Sequence, residues 1–192
     1  KWMDFTCKED ADVYTRLAQA YFESKQLAKM VEPADKANFN DWQRMINTNV
    51  LGLVHLTHEI LPFMTAKNSG YVINIGSTAG NHPYFGANVY GATKAFVRQF
   101  SLNLRADLVG KKVRVTNLEP GLCGGTEFSN VRFKDDYDKA SAVYEGVEYI
   151  QPTDIANIVA WLVEQPEHLN VNELELMPTA QTFAGLTVVK DL

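Results

Sequence analysis

The stretch from Gly70 to Gly125 constrains this chain more than any other. Gly-Tyr-Val-Ile-Asn-Ile-Gly-Ser-Thr-Ala-Gly (70–80) is an apolar run that ends in small residues, the pattern of a buried strand entering a tight turn. A long helical pattern follows from about Val89 to Leu108 and stops at Gly110. The apolar run Val113 to Leu118 then leads into Glu-Pro-Gly-Leu-Cys-Gly-Gly-Thr. Strand, turn, helix, strand and Gly-rich turn make a β-α-β unit, so the expected class is α/β with a parallel sheet. Ligands of such sheets bind at the C-terminal ends of the strands, which is where both turns fall.

Those turns and the helix between them carry residues with a joint chemical reading. Tyr90 and Lys94 are four apart and share one helix face, so the ammonium can approach the phenol. A phenol with an ordinary pKa of ~10 is a poor base at neutral pH, and a nearby cation favours its phenolate. The pair is then a proton donor and acceptor suited to interconverting an alcohol and a carbonyl. Ser77, in the turn thirteen residues before Tyr90, is placed to bind the oxygen that Tyr90 protonates. By itself Tyr-x-x-x-Lys is weak, because the two residues recur at this spacing on solvated helices; the surrounding β-α-β unit is what gives it weight.

With these motifs the chain resembles the short-chain dehydrogenases/reductases from about Leu27 onward. The resemblance implies a Rossmann-like, doubly wound parallel sheet and four catalytic positions. Asn49, in Ile-Asn-Thr-Asn-Val-Leu-Gly, matches the family Asn thought to hold a relay water; Ser77 matches the substrate-orienting Ser. Tyr90 matches the acid/base, and Lys94 the residue that lowers its pKa and binds the nicotinamide ribose. Pro120, Gly121, Leu122, Cys123 and Thr126 match the loop that lines the nicotinamide and pyrophosphate, with Cys123 standing where Val is common. Longer segments, from Asn88 to Arg105 and from Glu119 to Phe133, resemble bacterial NADP-dependent 3-hydroxy acid dehydrogenases. That subgroup implies NADP rather than NAD, with serine, allo-threonine, 3-hydroxypropionate or malonic semialdehyde as substrate. It also implies a homodimer or homotetramer. Arg132 follows the Gly-rich loop and is a candidate anchor for the substrate carboxylate, which a guanidinium matches with two bonds.

The remaining features narrow the setting. The 192 residues suit one domain with one substantial core. A net charge of −5 without a Lys/Arg cluster argues against nucleic acid as partner. No run approaches the ~18 apolar residues of a membrane span. Cys7 and Cys123 stand in unrelated contexts, so a reducing cytoplasm is expected in place of a disulfide framework. His55 and His58 are three apart but lack a third ligand at a metal-site spacing; His82 lies between Ser77 and Tyr90 and is a candidate substrate contact. Phe96, Phe100 and Leu104 exceed what one helix face buries in a monomer, pointing to an oligomer contact; the similarly apolar tail from Phe183 is expected to complete that contact or the substrate pocket.

Elsewhere, periodicity predicts helices at about 9–25 and 41–65, the second capped by Asn40, and a strand at 72–75. A polar loop covers 126–146, Gln-Pro-Thr-Asp (151–154) opens a helix to about Glu164, and the last strand spans 171–177. The family's Thr-Gly-x-x-x-Gly-x-Gly and Asn-Asn-Ala-Gly turns are missing, which amounts to a sheet lacking the family's strands 1, 2 and 4. Met-Asp-Phe-Thr (3–6) resembles the family's third strand, whose Asp4 and Phe5 would lie against the adenine. The helix after it runs straight into Gln26-Leu27-Ala28-Lys29. In the family the two helices joined there lie on opposite faces of the sheet, and a chain does not change faces without the strand between them. A strand-length segment of roughly ten residues is therefore expected to be missing near 24–28, and a longer piece before Lys1. Two rival readings follow: a catalytically inactive fragment or pseudoenzyme serving as an oligomerisation module, and a short-chain reductase of keto-esters or sugars.

Overall fold

The computed structural model describes residues 33–126 and 137–183. Asp4, Phe5, Arg132, the helix expected at 9–25 and the junction at 24–28 lie outside the described residues. Three parallel strands, β1 (Gly70–Ile75), β2 (Val113–Pro120) and β3 (Glu173–Leu176), pair in that order. Ahead of β1 run helix α1 (Phe39–Ile46), a π-helical segment (Asn47–Gly52) and α2 (Leu53–Lys67). Helix α3 (Asn88–Asp107) crosses from β1 to β2; α4 (Tyr137–Ala142) and α5 (Pro152–Glu164) lie between β2 and β3.

Side-chain alternation along β2 shows how the layers stack. Val113 and Val115 are buried against Leu104 of α3 and Leu108 at its C-cap, with Leu61 and Met64 of α2 packed on the same cluster. Arg114 points the other way. Its guanidinium donates to the carbonyl oxygens of Leu162, Val163 and Gln165 at 3.0, 3.1 and 3.0 Å and lies 4.0 Å from the centre of the Tyr71 ring. These carbonyls lie at the C-terminal end of α5, where a cation is favoured. Helices therefore cover both faces, the doubly wound Rossmann-like arrangement that the sequence implied. Among the described residues no helix is long and apolar enough to cross a membrane.

Several boundaries differ from expectation. The helix expected at 41–65 is two α-helices separated by the π-helical segment. Its N-cap is Asn38, not Asn40: Asn38 is extended (φ −82°, ψ 123°) and its Oδ1 accepts from the Asn40 N–H at 2.9 Å. The polar stretch 126–146 contains α4, with Asp138 in its first turn, where a negative charge is favourable. Strand β3 is shorter than 171–177, and ahead of it the Asn170 side chain stands in for backbone. Its Oδ1 accepts from the Val115 N–H at 2.7 Å and its Nδ2 donates to the Val115 carbonyl at 2.8 Å. Of the three α3 residues assigned to an oligomer contact, Leu104 is core and Phe100 packs against that core; Phe96 is exposed.

What brings β1's exit turn and α3 together is the absence of side chains. A Cβ on Gly80 would lie 2.9 Å from the Lys94 carbonyl carbon, and one on Gly91 would lie 3.0 Å from the Ala79 oxygen. Gly80→Ala must push the turn off the helix, an overpacking cost of about 1–3 kcal/mol. Denaturant unfolding should show that loss for Gly80→Ala and none for Gly52→Ala, whose nearest neighbour is in ordinary contact at 3.5 Å.

Candidate active site

The site forms where β1 and β2 end. Gly76 follows β1 and donates its N–H to the Leu118 oxygen at 2.7 Å; a Cβ there would lie 2.5 Å from Asn117 Oδ1. Ser77 is extended (φ −173°, ψ 152°) and caps the short 3-10 turn Thr78–Gly80, its Oγ accepting from the Ala79 N–H at 3.1 Å. A hydroxyl that accepts from backbone keeps its own proton for a ligand oxygen.

Across the Gly80 contact, α3 presents Tyr90 and Lys94 one turn apart. Lys94 Nζ lies 5.8 Å from the Tyr90 ring centre, within reach of a cation–π attraction, and donates to the Ile75 carbonyl at 2.9 Å. One ammonium thus ties the phenol's helix to the end of β1. Burial lowers the Lys94 pKa from 10.5 to about 8, because the charged form is desolvated. The expected fixed cation beside Tyr90 is therefore itself titratable close to neutral pH.

Asn49 reaches the same helix from the π-helical segment. Its Nδ2 donates to Thr93 Oγ1 at 3.0 Å, and Thr93 Oγ1 donates to the Tyr90 carbonyl at 2.8 Å. Single π-turns recur at functional sites because they re-aim one side chain without ending the helix. Thr93 is buried and was missed in the sequence, although it sits inside Tyr-Gly-Ala-Thr-Lys; its place between Tyr90 and Lys94 was the available signal.

Beyond β2, the Pro-Gly loop is held from two sides. The Gly121 N–H donates to the Leu176 oxygen at 2.7 Å and the Leu122 N–H to Gln181 Oε1 at 2.7 Å. Gly124 and Ile150 continue the pairing: Gly124 N–H to the Ile150 oxygen, and Ile150 N–H to the Leu122 oxygen, both at 3.0 Å. The Cys123 carbonyl accepts from the Tyr144 hydroxyl at 3.3 Å, while burial pushes the Cys123 thiol pKa up, with the Asp154 charge adding to it. Thr126 is exposed at the edge of the described residues. His82 Nε2 lies 2.9 Å from Glu175 Oε1. His55 and His58 lie 3.8 and 3.2 Å from Glu59 on an exposed helix face.

The sequence profile of the short chain dehydrogenase family matches residues 27–136. This chain belongs to that family. A probable NADP-dependent dehydrogenase of Haemophilus influenzae is 62% identical over 165 residues, covering 86% of this chain and 66% of the relative. An NADP-dependent 3-hydroxy acid dehydrogenase of Escherichia coli K12 is 58% identical over 162 residues, covering 84% and 65%. A solved structure described as the closed form of serine dehydrogenase complexed with NADP+ superposes with a TM-score of 0.84 at 57% identity, covering 86% of this chain and 66% of that one. The short-chain dehydrogenase chain thus spans about two thirds of the length of the relatives it matches.

The lowered Lys94 pKa has a signed consequence for stability. The folded value lies below 10.5, so between pH 8 and 10.5 the unfolded chain binds more protons and stability rises with pH. Below about 8 the burial penalty is fully present. Lys94→Met removes it and keeps the apolar stem. In cofactor-free protein the variant should gain on wild type by up to roughly 2 kcal/mol more at pH 7.5 than at pH 10, measured by chemical denaturation.

Proposed function

We propose that this short-chain dehydrogenase is an NADP-dependent oxidoreductase acting on the hydroxyl carbon of a small 3-hydroxy acid, such as serine, allo-threonine or 3-hydroxypropionate, or reducing malonic semialdehyde. The observation that carries the reading is the convergence of Ser77, Tyr90, Lys94 and Asn49, from three separate elements, at one end of the sheet. In the oxidative direction Tyr90 takes the hydroxyl proton. Lys94 lowers the cost of the phenolate, Ser77 donates its proton to the substrate oxygen and holds it, and Asn49 supports the path of the proton to solvent. In reduction the same groups return the proton.

The residues present fit a nicotinamide cofactor. Lys94 carries three ammonium protons, one of them directed to Ile75 O, which suits it to ribose hydroxyls as well. Pro120, Gly121, Leu122, Cys123 and Thr126 would line the nicotinamide and pyrophosphate, and Asp4 and Phe5 the adenine. When bound, NADP supplies the hydride acceptor, and the protein supplies placement and electrostatics. NADP is preferred over NAD because relatives at 58% and 62% identity are named NADP-dependent. Arg132 is the proposed carboxylate anchor, and homo-oligomers fit the exposed Phe63 and Phe96 on α2 and α3.

The family match beginning at residue 27 supports an interruption of the family sequence near 24–28. Intact mass tests it: a mass equal to that of the 192 residues would sink the idea. The rival reading, an inactive oligomerisation module, draws on β1, which among the described residues pairs only with β2 and leaves Ile75 47% exposed.

Quenching of protein fluorescence by NADPH separates the two: micromolar binding is expected of the enzyme and none of the module. Tyr90→Phe should lower kcat by about 10²–10⁴ while leaving NADPH affinity intact. Arg132→Met should raise KM for L-serine and 3-hydroxypropionate far more than for neutral secondary alcohols. Equal rises would remove Arg132 from the pocket, and preference for neutral substrates would favour a keto-ester or sugar reductase.

A further inference from the structure

An ionisable side chain that none of these roles uses is buried directly beneath the site. Glu119, the penultimate residue of β2, is 2% exposed and immediately precedes Pro120-Gly121. Placing a carboxyl there is expensive unless its oxygens are paired. Both are: Oε1 accepts from Asn117 Nδ2 at 2.7 Å and Oε2 from Asn81 Nδ2 at 2.9 Å.

The partners of those partners connect the Ser77 turn, α3 and β3. Asn81 follows the 3-10 turn that Ser77 caps, and its N–H donates to the Thr78 oxygen at 3.1 Å. The Asn81 side-chain Nδ2 that bonds Glu119 also donates to Glu175 Oε2 on β3 at 3.0 Å, and Glu175 Oε1 meets His82. Arg98, one turn beyond Lys94 on α3, lies 3.9 Å from Glu119 Oε1 and pairs with Glu173 of β3 through Nη2 at 3.0 Å. Glu119 also lies under the strand exit: a Cβ on Gly76 would be 3.1 Å from its Cγ.

We infer that Glu119 is a positioning residue, holding the Ser77 turn in register with the Tyr90–Lys94 helix and the Pro-Gly loop through its bond to Asn81. The inference rests on the dehydrogenase reading for its effect on turnover. Three carboxylates share one guanidinium and one imidazole here. Burial raises the Glu119 pKa, the Asn81 bond and the Arg98 charge oppose the rise, and the Glu173 and Glu175 charges add to it. What the tie asks of this residue is its acceptor for Asn81. A leucine would fill the space without the bond. A glutamine keeps an oxygen for Asn81, and its NH2 can face Asn117, whose Oδ1 has no hydrogen-bond partner among the described residues.

The test uses Glu119→Leu, Glu119→Gln and Asn81→Ala in the full-length protein, with kcat, KM, NADPH affinity and amide exchange at Ala79 and Gly80 as readouts. Both amides bond to Ser77, so they report the turn directly. Expected are a kcat loss of about tenfold or more in Glu119→Leu and Asn81→Ala, since small misplacements cost rate steeply, with NADPH affinity kept within about threefold. Glu119→Gln should restore most of kcat, and the Leu/Ala double variant should fall no further than either single one. Exchange at Ala79 and Gly80 should quicken in Glu119→Leu and Asn81→Ala only. Wild-type kcat in both, a loss that Gln does not restore, or unchanged exchange overturns the inference. If Glu119→Leu does not fold, Asn81→Ala, on a half-exposed turn, decides alone. Wild-type protein that binds no NADPH and turns nothing over sinks the dehydrogenase reading, while the exchange data still decide whether the tie exists.

Discussion

The arrangement depends on a backbone-to-backbone approach between the turn Thr78–Gly80 and the first half of α3, where Gly80 and Gly91 leave room for no side chain. Everything that makes the site chemical is hung on that contact. It sets the turn that Ser77 caps against the helix that carries Tyr90 and Lys94, whose ammonium reaches back to the end of β1. Because interiors are close-packed and resist small displacements, a contact of this kind fixes the spacing of turn and helix.

The proton chemistry then follows from a balance of opposing terms. A fully solvated lysine would be a constant cation and a weak influence on Tyr90 through water. The desolvation that strengthens its effect on the phenol also makes its own charge costly.

Much of this was readable before any coordinates. The β-α-β unit, both of its strands, the long helix, which ends at Asp107 three residues short of Gly110, and the Pro152-led start of α5 all follow from local rules of period and capping. The four catalytic candidates were readable because their spacing is local or because family motifs carry them. What escaped had physical reasons. A π-turn at 47–52 has the same composition as α-helix, since it differs only in which carbonyl each N–H selects. In Asn-Phe-Asn either asparagine can cap, and only backbone direction decides for Asn38. Asn170 posing as strand backbone, and Asn81 meeting Glu175 across 94 residues, depend on strand register, which no local pattern encodes. Glu119, like Thr93, left a trace: it is an acid at the end of an otherwise buried run, next to a Pro-Gly turn.

The anchor of Lys94 has an implication for how the chain tolerates change. Its acceptor is the main-chain oxygen of Ile75, and every amino acid supplies that atom. Substitution at position 75 can therefore alter bulk or polarity at the strand end while the ammonium keeps its tether. Side-chain drift around the site is in this sense uncoupled from the placement of its cation. Only a shift of the strand itself can release it, and the ladder to β2, in register from Gly70 through Ile75, stands against that.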